Sequence, residues 1–157
     1  MHGRIITKDS FQVVGIGWTG PYTMSREIAK IWEEFVKRIN EIPHQVRPGV
    51  FVCPCHDRVT DLTCYIAVEV SKADQVPEGM LSLTVPTQKY AVFTHRGPIR
   101  NTSSTYQKAL KWIKKMGYQK DDSTLSLEVY DHRYTPVTHN LDAPDNRYDL
   151  FIPIKRY

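Results

Sequence analysis

Several things are missing from this 157-residue sequence. No stretch approaches the roughly 18–20 consecutive apolar residues that span a bilayer. The opening, MHGRIITKDSFQVVG, holds no long apolar run beside a small-residue cleavage site, so a secretory leader is not expected. Cysteine is scarce. Cys53, Cys55 and Cys64 are three, an odd number that argues against a disulfide framework and agrees with a reducing compartment. There is no Gly-rich phosphate loop and no nucleophile elbow. The net charge of +4 is mild, and the basic residues are dispersed except for Lys111, Lys114 and Lys115. No helix-turn-helix or basic-aromatic strand pattern accompanies them, so direct nucleic-acid binding is not expected. These absences predict a cytoplasmic, membrane-free domain with no cofactor.

What is present is a pattern read twice. Phe11 to Gly17 reads as a strand, and Gly20-Pro21 ends it. A helix follows from about Ser25, with Ser25 or Thr23 as N-cap. Its apolar positions Ile28, Ile31, Trp32, Phe35 and Ile39 recur at helical spacing, and Pro43 stops it. Val50 to Cys53 reads as a short strand. Leu62 to Val70 reads as a longer one, with Leu62, Cys64, Ile66, Val68 and Val70 on one face. Then the order repeats. A strand lies within Leu83 to His95 and Gly97-Pro98 ends it. A helix runs from about Thr102 to Met116, with Gly117 as C-terminal cap. Leu125 to His132 and Tyr148 to Lys155 are the last strands. Gly20-Pro21 and Gly97-Pro98 are 77 residues apart, about half the chain. The predicted fold class is therefore α+β: tandem β-α-β-β halves, about 1–75 and about 80–157, with antiparallel sheets and two amphipathic helices. A ligand groove is expected between the halves.

Glu128 is the residue that stands out as a candidate for chemistry. In LSLEVYDH, Leu125, Leu127 and Val129 alternate with Ser126, Glu128 and Tyr130. The apolar set is expected to meet the helices. The other face is either solvated or lines the groove. A carboxylate in a groove favours cationic ligands or serves as a general base. Tyr65, with Thr63 and Ala67, is expected to face the groove as Tyr130 does. Phe93 and Phe51 lie in strands flanking the helices, Trp32 fits the core, and Trp112 fits core and pocket equally. Aromatic walls with one carboxylate make a cage for flat or cationic molecules. Cys53, Cys55 and His56 are ligand types for zinc, but a fourth ligand is missing, so no metal site is expected. His95 and His132 read as exposed strand-end residues.

The segments IWEEF, LTCYIAVEV, VPTQKYAVFTHRGP, KWIKKMGYQ, LSLEVYDH and DLFIPIK, in this order, resemble the GyrI-like small-molecule-binding domain, also called the AraC-type effector-binding domain. The resemblance runs from Phe11 to Lys155. It implies a central groove with a pocket glutamate at Glu128, an aromatic at Tyr130, and a strand tyrosine at Tyr65. Phe93 and Trp112 match aromatic positions. Many relatives carry an N-terminal DNA-binding segment, whereas this chain reads as a stand-alone member. The leading expectation is a drug- or effector-binding protein linked to transcription regulation. The alternative is a hydrolase of strained electrophiles in which Glu128 activates water. A third reading is action through a regulatory protein partner.

Overall fold

The computed structural model describes residues 2–157. Its elements are β1 (Arg4–Lys8), β2 (Phe11–Pro21), α1 (Glu27–Arg38), β3 (Phe51–Asp57), β4 (Asp61–Val70), β5 (Leu81–Val85), β6 (Gln88–Arg96), α2 (Thr102–Lys115), β7 (Tyr118–Lys120), β8 (Ser126–Tyr130) and β9 (Arg147–Arg156). All strand pairs are antiparallel. The strands form one nine-stranded sheet in the order β1-β6-β9-β8-β3-β4-β2-β5, with β7 beside the end of β9. The α+β expectation holds, with one continuous sheet joined at its centre by β3 and β8. None of the described helices is long and apolar enough to cross a membrane.

The strand order reads the same from either end. The first strand of each repeat lies in the opposite half of the sheet: β1 pairs with β6, and β5 pairs with β2. Only Asp9 and Ser10 link β1 to β2, and only Pro86 and Thr87 link β5 to β6. At about 3.3–3.6 Å per residue such links cannot cross a flat sheet of this width. The sheet therefore curls until its two edges approach, and Ser10 N–H donates to Thr87 Oγ1 at 3.0 Å between the two links.

Curling gives the sheet an inner face packed by strands alone. Val52, Val85, Tyr90, Val92, Leu127 and Val129 form one buried cluster, with Ile6, Phe11 and Leu83 against it. Leu127 and Val129 thus point into the curl and not toward the helices, contrary to the alternation-based expectation. Both helices cover the other face. Trp32 and Phe35 of α1 are buried against Phe51, Ile66, Val68 and Tyr130. Burying a side chain such as Phe35 contributes about 1.5–3 kcal/mol. Ala109 and Ile113 of α2 pack on Ala91, Phe93 and Ile152.

Local signals explain the element ends. Gly117 adopts φ +86° and follows α2 as the C-terminal cap should. Gly15 is required by close packing, since a Cβ there would collide with the Ile66 carbonyl and Ala67 Cα of β4. The start of α1 differs from expectation. A 3₁₀ turn at Tyr22–Met24 precedes it, Arg26 occupies the N-cap, and neither Thr23 nor Ser25 caps with its side chain. The Ser25 carbonyl instead accepts the Ile28 N–H. Strand β3 runs on through Cys55 to Asp57, beyond the expected Cys53.

Candidate functional site

Strand β8 lies at the centre of the sheet, between β3 and β9. Its register puts Glu128 opposite Cys53 on one side and Leu150 on the other. Tyr130 shares the same face, opposite Phe51. This is the helix-covered face, because Trp32 of α1 meets Tyr130 edge-on at 5.4 Å and Phe51 at 5.2 Å. Tyr148 stacks on Tyr130 at 4.8 Å, and its hydroxyl donates to Thr102 Oγ1 at the start of α2. The Tyr130 hydroxyl donates to Glu128 Oε2.

Beside this pair a recess of about 380 Å³ opens, lined by Tyr22, Asp57, Tyr106, Lys120, Glu128 and Leu150 among others. That volume falls in the range of small-molecule sites. Helix α2 supplies one wall through Tyr106, and the 3₁₀ turn before α1 supplies Tyr22. Glu128 has no ion pair among the described residues. Burial raises its pKa above the usual glutamate value, against the lowering effect of the Tyr130 hydroxyl, and the nearby Asp57 charge adds to the rise. Burial and the Glu128 charge also push the phenols of Tyr130 and Tyr148 well up, so both stay protonated and act as donors.

Lys120 closes the outer side. Its Nζ lies 3.8 Å from Asp57 Oδ2, 3.7 Å from Asp122 Oδ1 and 5.3 Å from the centre of the Tyr106 ring. The Tyr106 hydroxyl is buried with no hydrogen-bond partner among the described residues.

The structure brings some of the expected site residues together and separates others. Glu128 and Tyr130 are joined. Phe51 is next to Tyr130 but lies under Trp32 in the α1 core. Phe93 and Trp112 meet edge-on at 5.4 Å in the cluster beneath α2, not in the recess. Tyr65 pairs with Gly17 on the opposite face of the sheet, because Cys64 is the β4 residue that shares the Glu128 face. It therefore does not face the recess as Tyr130's neighbour. His95 is fully buried, not exposed. Its Nε2–H donates to the Pro98 carbonyl at 3.0 Å and its Nδ1 accepts from Thr105 at 2.7 Å.

Sequence reading missed Tyr106, Lys120, Asp57 and Tyr22. A signal existed for Tyr106, which precedes Ala109 and Ile113 at helical spacing. Lys120 had none, since β7 has only three residues.

Cys53, Cys55 and Cys64 are buried free thiols on the Glu128 side of the sheet. No cluster of metal-ligating side chains occurs among the described residues. A larger recess, about 770 Å³, lies near Arg4, Thr94, Arg96, Lys108 and Arg133. It is basic, and its one carboxylate, Asp149, is already held by Arg133 and Thr94.

Two helices on one face of a large antiparallel sheet, with a central strand glutamate between tyrosines, define a GyrI-like ligand-binding fold. The sequence model for integron-associated effector-binding proteins matches residues 4–154, and the chain belongs to that family. It is 34% identical over 155 residues to the transcriptional regulator BrlR of Pseudomonas aeruginosa, covering 98% of this chain and 56% of that protein. The chain thus spans little more than half the length of that curated relative. Among solved structures it is similar to SAV2435 bound to tetraphenylphosphonium, with TM-score 0.72, 16% identity and coverage of 99% of this chain and 94% of that one. It is also similar to the EcmrR C-terminal domain, with TM-score 0.74, 12% identity and coverage of 99% and 98%.

Proposed function

We propose that the chain binds a cationic, aromatic small molecule in the recess above β8, with Glu128 as the charge-selecting residue. The observation that carries this reading is a half-buried carboxyl with no cationic partner among the described residues, fixed by the Tyr130 hydroxyl at the wall of a ligand-sized recess. A partly desolvated carboxyl without a counter-charge is costly, and a cation relieves that cost. Tyr106 and Tyr22 supply aromatic surface, whose π faces attract cations. The tetraphenylphosphonium carried by SAV2435 has the same chemistry, large and positively charged with aromatic rings. Membership of an effector-binding family and the likeness to BrlR support a role for occupancy in transcriptional regulation.

Calorimetric titration with tetraphenylphosphonium tests the reading. Binding by the wild type, and a loss of about tenfold in Glu128→Gln, equivalent to about 1.4 kcal/mol, is the expected result. A neutral ligand of similar shape loses much less. Equal losses for both ligands remove Glu128 from the charge-selecting role.

A further inference from the structure

Lys120 already holds one cation position in the same recess, beside Tyr106 and Asp57. It is the last residue of β7 and pairs with Ile154 of β9. That register puts it on the face of β9 that also carries Leu150 and Ile152, both of which line the recess. Its ammonium lies over the Tyr106 ring and 3.8 Å from Asp57. The side chain is only 21% exposed, whereas that of Asp122, its other partner, is 81% exposed. Burial opposes the Lys120 charge, but the neighbouring Tyr106 hydroxyl and the Asp57 and Asp122 carboxylates outweigh it and hold the pKa above the ordinary lysine value.

We infer that Lys120 is a tethered competitor: its ammonium occupies the cation subsite formed by the Tyr106 ring and Asp57, and a cationic ligand binds by displacing it toward Asp122. The inference rests on the proposed cation-binding role of the recess. One ring face and one carboxylate accommodate one cation at close range, so ligand and lysine exclude each other. Displacement is feasible because the four-carbon stem is flexible and Asp122 offers a solvent-facing partner 3.7 Å away. It is also selective. A lysine ammonium is compact and strongly hydrated, so it leaves an aromatic face for water readily. A large cation with dispersed charge is poorly hydrated and gains more from the ring. The exchange therefore favours lipophilic organic cations and discriminates against simple amines and metal ions.

The experiment is titration of wild type, Lys120→Met and Lys120→Arg with tetraphenylphosphonium, with a melting curve for each. Methionine keeps the apolar stem and removes the charge, and the expected result is binding tighter by about fivefold. Arginine keeps the charge, and its affinity stays close to wild type. In parallel, amine-reactive acylation of the wild type is followed by peptide mass spectrometry, and Lys120 labelling is expected to rise severalfold at saturating tetraphenylphosphonium. Unchanged or weaker binding by Lys120→Met, while the wild type binds, overturns the competitor role and leaves the recess reading standing. So does Lys120 labelling that falls on ligand addition. No binding by wild type or Lys120→Met overturns both readings together.

Discussion

Tyr130 and Glu128 stand two residues apart on one face of β8, and the Tyr130 hydroxyl donates to Glu128 Oε2. The phenol cannot turn away freely, because its ring lies between the edge of Trp32 and the stacked ring of Tyr148. The carboxyl is thus held in one orientation before any ligand arrives, which reduces the ordering cost of binding.

Tyr130→Phe isolates that hydrogen bond. The ring packing survives and only the donor is lost. Hydrogen bonds to charged groups contribute about 1.5–3 kcal/mol. The ionised carboxylate therefore becomes harder to maintain, and tetraphenylphosphonium binding near neutral pH is expected to weaken by about tenfold. Calorimetry on the mutant checks this. A mutant with wild-type affinity would show that the donor does not set the charge state of Glu128.

The raised pKa of Glu128 gives stability a definite pH dependence. The folded state holds the proton more tightly than the unfolded chain, so stability falls as pH rises from the ordinary glutamate value through the raised one. Glu128→Gln removes this effect. The mutant is expected to melt higher than wild type at neutral pH and close to it at pH near 4. Ligand affinity has the opposite slope, because a cation prefers the ionised carboxylate: it weakens as pH drops through the same window. Urea unfolding and titration at several pH values measure both slopes.

His95 and His132 are expected to differ sharply on substitution. His95 is buried and bridges the Pro98 carbonyl and Thr105, fastening the end of β6 to α2. His95→Phe leaves both partners unmatched and is expected to cost about 2–4 kcal/mol. His132→Ala, at an exposed position, is expected to change stability by less than about 0.5 kcal/mol. Denaturant unfolding of the two mutants is the measurement.

The thiols are expected to be inert in the folded protein. Burial pushes the Cys53 thiol well up. The contact with Cys64, together with burial, does the same for Cys55. A thiolate-selective reagent at pH near 8 should leave both unmodified under native conditions and react with all three cysteines in denaturant. Rapid native labelling of Cys53 or Cys55 would contradict the burial described.

Particular residues show what the sequence disclosed. The alternation Leu62, Cys64, Ile66, Val68 and Val70 identified β4 and its buried face, and the helical spacing of Trp32 and Phe35 identified the α1 contact. Alternation in β8 separated Leu127 and Val129 from Glu128 and Tyr130, but the expectation that the apolar pair meets the helices fails. Both faces of that strand are covered, one by α-helices and one by the curled sheet, so apolar content does not discriminate. Tyr65 lies on the other face for a related reason: the face of β4 opposite Cys64 also carries buried Ala67, and only the register across β3 relates it to Glu128. Strand β1, with the pattern of any short exposed segment, owes its existence to β6, more than eighty residues away. Nothing near Lys120 in sequence announces Tyr106 or Asp57.

The crossed-over placement of β1 bears on how the chain is made. Arg4 pairs with Val92, so β1 has no partner until β6 has been synthesised. At about 5–20 residues per second that interval is roughly 4–17 s. Throughout it, the nascent chain carries a bare strand edge that can neither close its own half nor be covered by it. Ribosome stalling before β6 would therefore strand an adhesive arm, and chaperone capture during translation would fall on β1.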